Sequence, residues 1–255
     1  AVMSALGGQQ MCVEVRDPLG DDVTAHYGMI GDDTAVIEMA EASGITLIEQ
    51  NSENAGRAST WGVGQVMLDA VDHGAKRIYI GLGGSATSDG GAGMAKALGV
   101  RFLNSAGEDI PCGLIGLEEL DSIDCSQMTH ALDDVEIIAI TDVTNPLTGP
   151  DGAVYVYGPQ KGIPADAIAR MDGMMVRYAQ ILKDTVGRDV DAVPGSGAAG
   201  GLGAALVAFC NAQIARGIDT VLDLIGLEEA MADVDLVITG EGRMDAQSAF
   251  GKAPV

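Results

Sequence analysis

Two hydroxyls and a carboxylate, Ser85, Thr87 and Asp89, alternate along a glycine-rich bend in residues 77–99, RIYIGLGGSATSDGGAGMAKALG. Hydroxyls and exposed backbone N–H groups are phosphate donors, and glycines such as Gly83, Gly84, Gly90 and Gly91 let an anion approach the backbone closely. Asp89 has the wrong sign for a phosphate and the right one for a magnesium ion. Together these residues could cradle a phosphate beside a metal. The elements that must position them are a strand and a helix. Ile78-Tyr79-Ile80 is a short β-branched and aromatic run that reads as a buried strand. Ser88 or Asp89 can cap a helix that carries Met94, Ala95 and Leu98 and stops at Gly99. A helix N-terminus adds its dipole to the anion site. The same pattern without a ligand is a tight strand-to-helix turn, because short glycine motifs recur in many proteins.

A second set of polar residues follows two other apolar runs. Residues 135–140 read as a strand of a parallel sheet covered on both faces, and lead into Asp142 and Asn145. Residues 235–239 read as a last buried strand, leading into Glu241, Arg243 and Asp245. In a parallel sheet the carboxyl ends of such strands share one edge, where open α/β sheets bind ligands. Lys161, in the glycine-bounded stretch 152–162 that reads as a loop, is a further cation for that edge. The collected groups are the parts phosphoryl transfer uses. Asp89 and Asp142 supply oxygen for Mg²⁺, and Lys161 and Arg243 take up transition-state charge. A carboxylate such as Asp142 or Glu241 accepts the proton of the attacking hydroxyl. Asn145, Arg243 and Asp245 are then the substrate contacts, with Arg243 suited to bidentate pairing. Taken singly, each acid is an ordinary loop carboxylate; their convergence raises them above that.

The rest of the chain supplies the frame. Residues 11–15, 23–30 and 34–39 read as an antiparallel meander with turns at 18–21 and 31–33. Residues 38–43 form a helical turn or two. Thr60 heads a helix with Val63, Val66, Met67, Ala70 and Val71 on one stripe, ended by Gly74. A short strand at 100–103, an amphipathic helix at 166–186, and a second glycine segment at 195–203 feeding a helix at 204–214 complete the reading. The expected division is residues 1–50 as the meander and the start of a first lobe, 51–230 as a central α/β region, and 231–255 as a return to the first lobe. Both ends look cut, as in a piece of a longer protein.

Composition excludes several classes. With 37 acidic residues against 14 Lys and Arg, the net charge of −23 argues against nucleic acid and anionic membrane surfaces as partners. No apolar run approaches membrane-spanning length. Cys12, Cys112, Cys125 and Cys210 are too scattered for a zinc or redox motif, and read as buried free thiols of a cytoplasmic protein. His26, His73 and His130 are equally scattered and read as surface or structural residues.

Five segments, taken in order, resemble the bacterial glycerate kinase family of the first type: residues 81–100, 141–153, 157–162 (YGPQKG), 194–206 (PGSGAAGGLGAAL) and 236–254 (LVITGEGRMDAQSAFGKAP). The resemblance implies a two-lobed α/β fold, a Rossmann-like lobe, incomplete here, with a second α/β lobe inserted. It implies an ATP- and Mg²⁺-dependent kinase acting on D-glycerate, usually at the 2-hydroxyl. A dinucleotide-dependent oxidoreductase is the rival reading, because Gly81, Gly83 and Ala86 fit its fingerprint, but the following strand ends in Asn104 where an acid is wanted. A non-catalytic binding module is another. A serine hydrolase is disfavoured, since Ser85 lacks the second glycine of a nucleophile elbow.

Overall fold

The computed structural model describes residues 7–227 together with 231, 232 and 234. The expected meander is present. β1 (Gln9–Arg16) pairs with β2 (Asp22–Ile30), and β2 with β3 (Thr34–Glu38), both antiparallel. Along β1 the side chains alternate, with Gln10, Cys12 and Glu14 exposed and Met11, Val13 and Val15 turned to the core, as the period of two requires. β4 (Arg77–Gly81) then pairs parallel with β3.

Beside this sheet β5 (Arg101–Leu103) and β6 (Ser122–Asp124) form a separate antiparallel pair. β7 (Glu136–Ile140) returns to lie parallel to β4, and β8 (Gln213–Ala215) lies parallel to β7. The six-stranded sheet has the order β1-β2-β3-β4-β7-β8. Its parallel strands β3, β4, β7 and β8 therefore bring their carboxyl ends to one edge.

Short helices α1 (Ala40–Ser43) and α2 (Ser52–Arg57) precede α3 (Trp61–Asp72), whose Val63, Val66, Met67 and Ala70 pack on Ile78 and Ile80. This is the stripe read from the sequence. α4 (Ala92–Ala97) follows the glycine bend. α5 (Ala153–Tyr157) and a 3₁₀ turn, Pro159–Lys161, occupy the stretch expected to be a loop. The glycines at 152, 158 and 162 had concealed this helix, since each falls at a boundary of one of its turns. α6 (Ile168–Val186) is the expected amphipathic helix, and its Met175, Tyr178 and Leu182 meet Phe102 in a second apolar cluster.

α7 (Ala198–Cys210) is broken near its start, where Ala199, Gly200 and Gly201 have left-handed φ, so its regular turns begin near Leu202, two residues earlier than expected. It ends four residues earlier, and residues expected at its end form β8 instead. Nothing but apolar and glycine residues occurs in α7, and it is buried nearly all round. α8 (Gly217–Leu224) follows β8. The sheet is not symmetrically covered. Ile78 and Ile80 lie fully in the core, while Tyr79 and Val36 on the opposite face are only half-buried among the described residues. The expected strand at 235–239 lies outside the described residues. No described helix is long and apolar enough to cross a membrane. All four cysteines are free, but only Cys210 is buried; Cys12 and Cys112 are exposed, because they fall on the outward side of β1 and on a connecting loop.

Candidate active site

A cleft of about 600 Å³ opens at the carboxyl ends of β4 and β7. Its floor is the bend Gly81 to Ser85 and the segment Ile140 to Val143, and its wall carries Tyr157, Gln160 and Lys161. The volume lies within the range of small-molecule sites.

The bend is built by a short ladder. The Ile45 N–H donates to the Gly84 carbonyl at 2.7 Å and the Ala86 N–H to the Ser43 carbonyl at 2.9 Å, so the loop leans on the end of α1. Gly84 sits at φ +71°, which a side chain would strain. Among the described residues the amides of Gly83, Gly84 and Ser85 donate to no protein group, and all three residues line the cleft. Consecutive free N–H groups around a left-handed residue form a concave anion site. The Ser85 hydroxyl accepts from the Thr87 N–H at 3.0 Å and lies 3.0 Å from the Thr87 hydroxyl, which holds the bend closed behind those amides.

Lys161 is almost fully buried and faces the same cleft. Its Nζ donates to the Thr87 carbonyl, and it has no ion-pair partner among the described residues. Burial pulls its pKa down to about 8, with the Asp89 charge resisting. Tyr157 donates from its hydroxyl to Asn145 Oδ1 at 2.7 Å, and Asn145 Nδ2 donates to the Asp151 carbonyl at 2.7 Å. Asp142 is exposed at the cleft, and its Oδ1 accepts from the Gly217 N–H at 2.9 Å, capping α8.

The sequence-based site therefore divides. Gly83, Gly84, Ser85, Asp142 and Lys161 come together in the cleft. Thr87 does not: it is fully buried and backs the cleft, its hydroxyl and N–H used by Ser85 and its carbonyl by Lys161.

Asp89 is also turned away from the cleft. Its carboxylate is buried and accepts from the Thr60 N–H, the Thr60 hydroxyl and the Gly91 and Gly93 N–H groups, at 2.8 to 3.1 Å. Burial raises its pKa and these four donors oppose the rise. Every oxygen is engaged, so Asp89 is a cap joining α3 to α4 and not a metal ligand in this arrangement.

Gly90 and Gly91 serve packing. A Cβ at Gly90 would overlap the Tyr178 ring, and one at Gly91 would overlap Ala205. Asn145 positions Tyr157 and does not line the cleft. Glu241, Arg243 and Asp245 lie outside the described residues.

Sequence reasoning missed Tyr157 and Gln160 as cleft residues. Their spacing with Lys161, at i, i+3 and i+4, would have placed all three on one side had the stretch been read as helical.

The whole chain, residues 1–255, matches the profile of the glycerate kinase family. The chain belongs to that family. It is 46% identical over 256 aligned residues to a glycerate kinase of Halalkalibacterium halodurans, covering all of this chain and 67% of that protein. It is 44% identical to the glycerate 2-kinase of Escherichia coli K12, again covering all of this chain and 67% of that protein. A crystal structure from Salmonella typhimurium LT2, of a protein proposed to be a glycerate kinase 2, superposes with a TM-score of 0.93 at 48% identity. That match covers 99% of this chain and 68% of the other. The chain thus spans about two thirds of the length of these relatives. Membership makes it an enzyme, a phosphotransferase, and sets aside the oxidoreductase reading.

The cleft fits what such a family handles. Free amides and a buried lysine suit a phosphate group. Among the described residues no three His, Cys, Asp or Glu side chains gather in a metal cage. A magnesium ion needs no such cage, because it is commonly held by one or two carboxylates together with substrate phosphates and water. Asp142, whose second carboxylate oxygen makes no hydrogen bond among the described residues, is the ligand on offer in the cleft.

Proposed function

We propose that the protein transfers the terminal phosphoryl group of ATP to a hydroxyl of D-glycerate, giving 2-phosphoglycerate and ADP. The observation that carries the reading is the row of free amides at Gly83, Gly84 and Ser85 beside the buried ammonium of Lys161. Family membership supports the substrate class. In the transfer, the glycerate oxygen forms a bond to the terminal phosphorus, and the bond from that phosphorus to the bridging oxygen of ADP breaks.

The amides of residues 83–85 hold phosphate oxygens in fixed directions, so no solvent need reorganise as charge builds. Lys161 places one positive charge against them in a chain of strongly negative net charge. Tyr157, fixed by Asn145, closes the wall and limits water access. Asp142 would hold Mg²⁺, which when bound neutralises phosphate charge and orients the transferring group. Glu241, from the sequence, is offered for the hydroxyl proton, and Arg243 and Asp245 for the substrate.

Incubating the full-length protein with ATP, Mg²⁺ and D-glycerate and resolving the products by mass spectrometry and ³¹P NMR tests this. The expected products are ADP and 2-phosphoglycerate. A folded protein that binds ATP but yields only 3-phosphoglycerate would overturn the regiochemistry. One that neither binds ATP nor forms product would overturn the reading.

A further inference from the structure

A second cavity, of about 270 Å³, lies on the same edge of the sheet as the cleft but at the end of β1, with β2 and β3 between them. β1 runs in the same direction as β3, being two antiparallel steps away, so its carboxyl end, Arg16, reaches that edge. Arg16 and Arg57, the latter from the last turn of α2, both line the cavity. Its remaining wall is mainly apolar, formed by Pro18, Leu19 and the single tryptophan, Trp61. Cys112 is at the rim, exposed and free.

We infer that this cavity binds a small organic carboxylate, with its acid group between Arg16 and Arg57 and its apolar part against Trp61. Charge points that way. Two of the chain's 14 basic residues meet at one cavity in a molecule of net charge −23. The one carboxylate in the wall, Asp17, spends an oxygen on the N–H groups of Leu19, Gly20 and Asp21, which offsets its charge locally.

Arg16 pairs with Asp22 and donates from the same nitrogen to the Gly20 carbonyl at 3.2 Å, and Arg57 pairs with Glu53, but both ion pairs are at the surface, with acid side chains 75% exposed. Such pairs hold their members weakly, so either guanidinium is available to a better partner. A guanidinium fork matches a carboxylate in two parallel hydrogen bonds, and an aromatic wall suits an apolar body. Size excludes the larger anions: the cavity falls below the range of sites for drug-sized ligands and has no room for a nucleotide. The wall is held in register by the Ser59 N–H on the Pro18 carbonyl and the Arg16 N–H on Gln65 Oε1. The inference does not depend on the function proposed for the cleft.

Trp61, as the only tryptophan, reports on the cavity by its fluorescence, and Cys112 by its rate of alkylation relative to exposed Cys12, which lies on β1 away from the wall. Benzoate is the probe, titrated at constant ionic strength against inorganic phosphate. Benzoate is expected to shift Trp61 emission saturably and to slow labelling of Cys112 but not of Cys12. Arg57→Gln and, independently, Arg16→Gln should each weaken benzoate about tenfold or more, with the far-ultraviolet circular dichroism unchanged. Lys161→Met should leave the titration unaltered. No saturable change, unaltered affinity in both arginine variants, or loss of binding in Lys161→Met would each overturn the inference. Saturation by phosphate but not by benzoate would overturn the ligand class.

Discussion

The two halves of the glycine-rich bend have similar composition and opposite roles. Residues 81–85 line the cleft, where no described protein group accepts the N–H groups of Gly83, Gly84 and Ser85, and Gly83 has open space where a Cβ would stand. Residues 87–91 are buried and turned into the fold: Asp89 takes four donors, Gly90 receives the Tyr178 hydroxyl on its carbonyl at 3.0 Å, and Gly91 abuts α7, while the buried Ser88 hydroxyl has no partner among the described residues. The Gly90 N–H also donates to the Gly200 carbonyl, so the second glycine segment backs the first. Glycine in the first half serves a ligand's approach, and glycine in the second serves the close approach of other helices. The free half keeps its shape because the buried half is fixed.

That contrast can be broken from the buried side with the largest effect. Asp89→Asn keeps the volume but removes the charge and, with its oxygen kept on the Thr60 and Gly93 donors, sets an amide NH₂ against the Gly91 N–H. Urea unfolding should show a loss of about 3 kcal/mol, as when buried donors lose a charged acceptor. A loss under about 1 kcal/mol would mean the cap is not what joins α3 to α4. Gly91→Ala should cost about 2 kcal/mol or more, combining overlap with Ala205 and a φ of +76°.

The open side predicts losses of binding with stability kept. Lys161→Met removes a buried charge, so stability should hold or rise, while affinity for ATP should fall about tenfold, or 1.4 kcal/mol. The wild-type protein adds a pH test. Lys161 carries its charge below about 8 and loses it above, so its share of anion affinity is full at lower pH and fades as pH rises through 8. Isothermal titration across pH 6.5 to 9.5 should show that decline in wild type and a flatter profile in Lys161→Met. The smallest expected stability change is Gly83→Ala, within about 0.5 kcal/mol, because its Cβ meets nothing. A change as large as that of Gly91→Ala would erase the distinction between the halves.

Much of the frame was legible where periodicity or composition alone decides local structure. The meander, β4, β7 and the stripe of α3 follow from alternation, apolar runs and the 3.6-residue repeat. β8 has three residues, too few to show a period. α5 was hidden by glycines at its ends. In the site, Gly83, Gly84, Ser85, Asp142 and Lys161 could be gathered because they follow strands or sit among turn residues. The reversal at Thr87, Asp89, Gly90 and Gly91 could not, because it depends on Thr60, Tyr178 and Ala205, which are remote in sequence and carry no local signal. Asn145 likewise looked like a ligand contact until its partner, Tyr157, was in place.

The central claim is that the amides of residues 83–85, and not those of 90 and 91, receive phosphate. ¹⁵N-resolved amide shifts of the ²H,¹⁵N-labelled protein, followed during titration with ATP, test it residue by residue. Saturable movement of Gly83, Gly84 and Ser85, with Gly90 and Gly91 nearly unmoved and the whole response weakened in Lys161→Met, is the predicted result. Saturable ATP binding that leaves Gly83, Gly84 and Ser85 unmoved, or moves Gly90 and Gly91 as far, would contradict it.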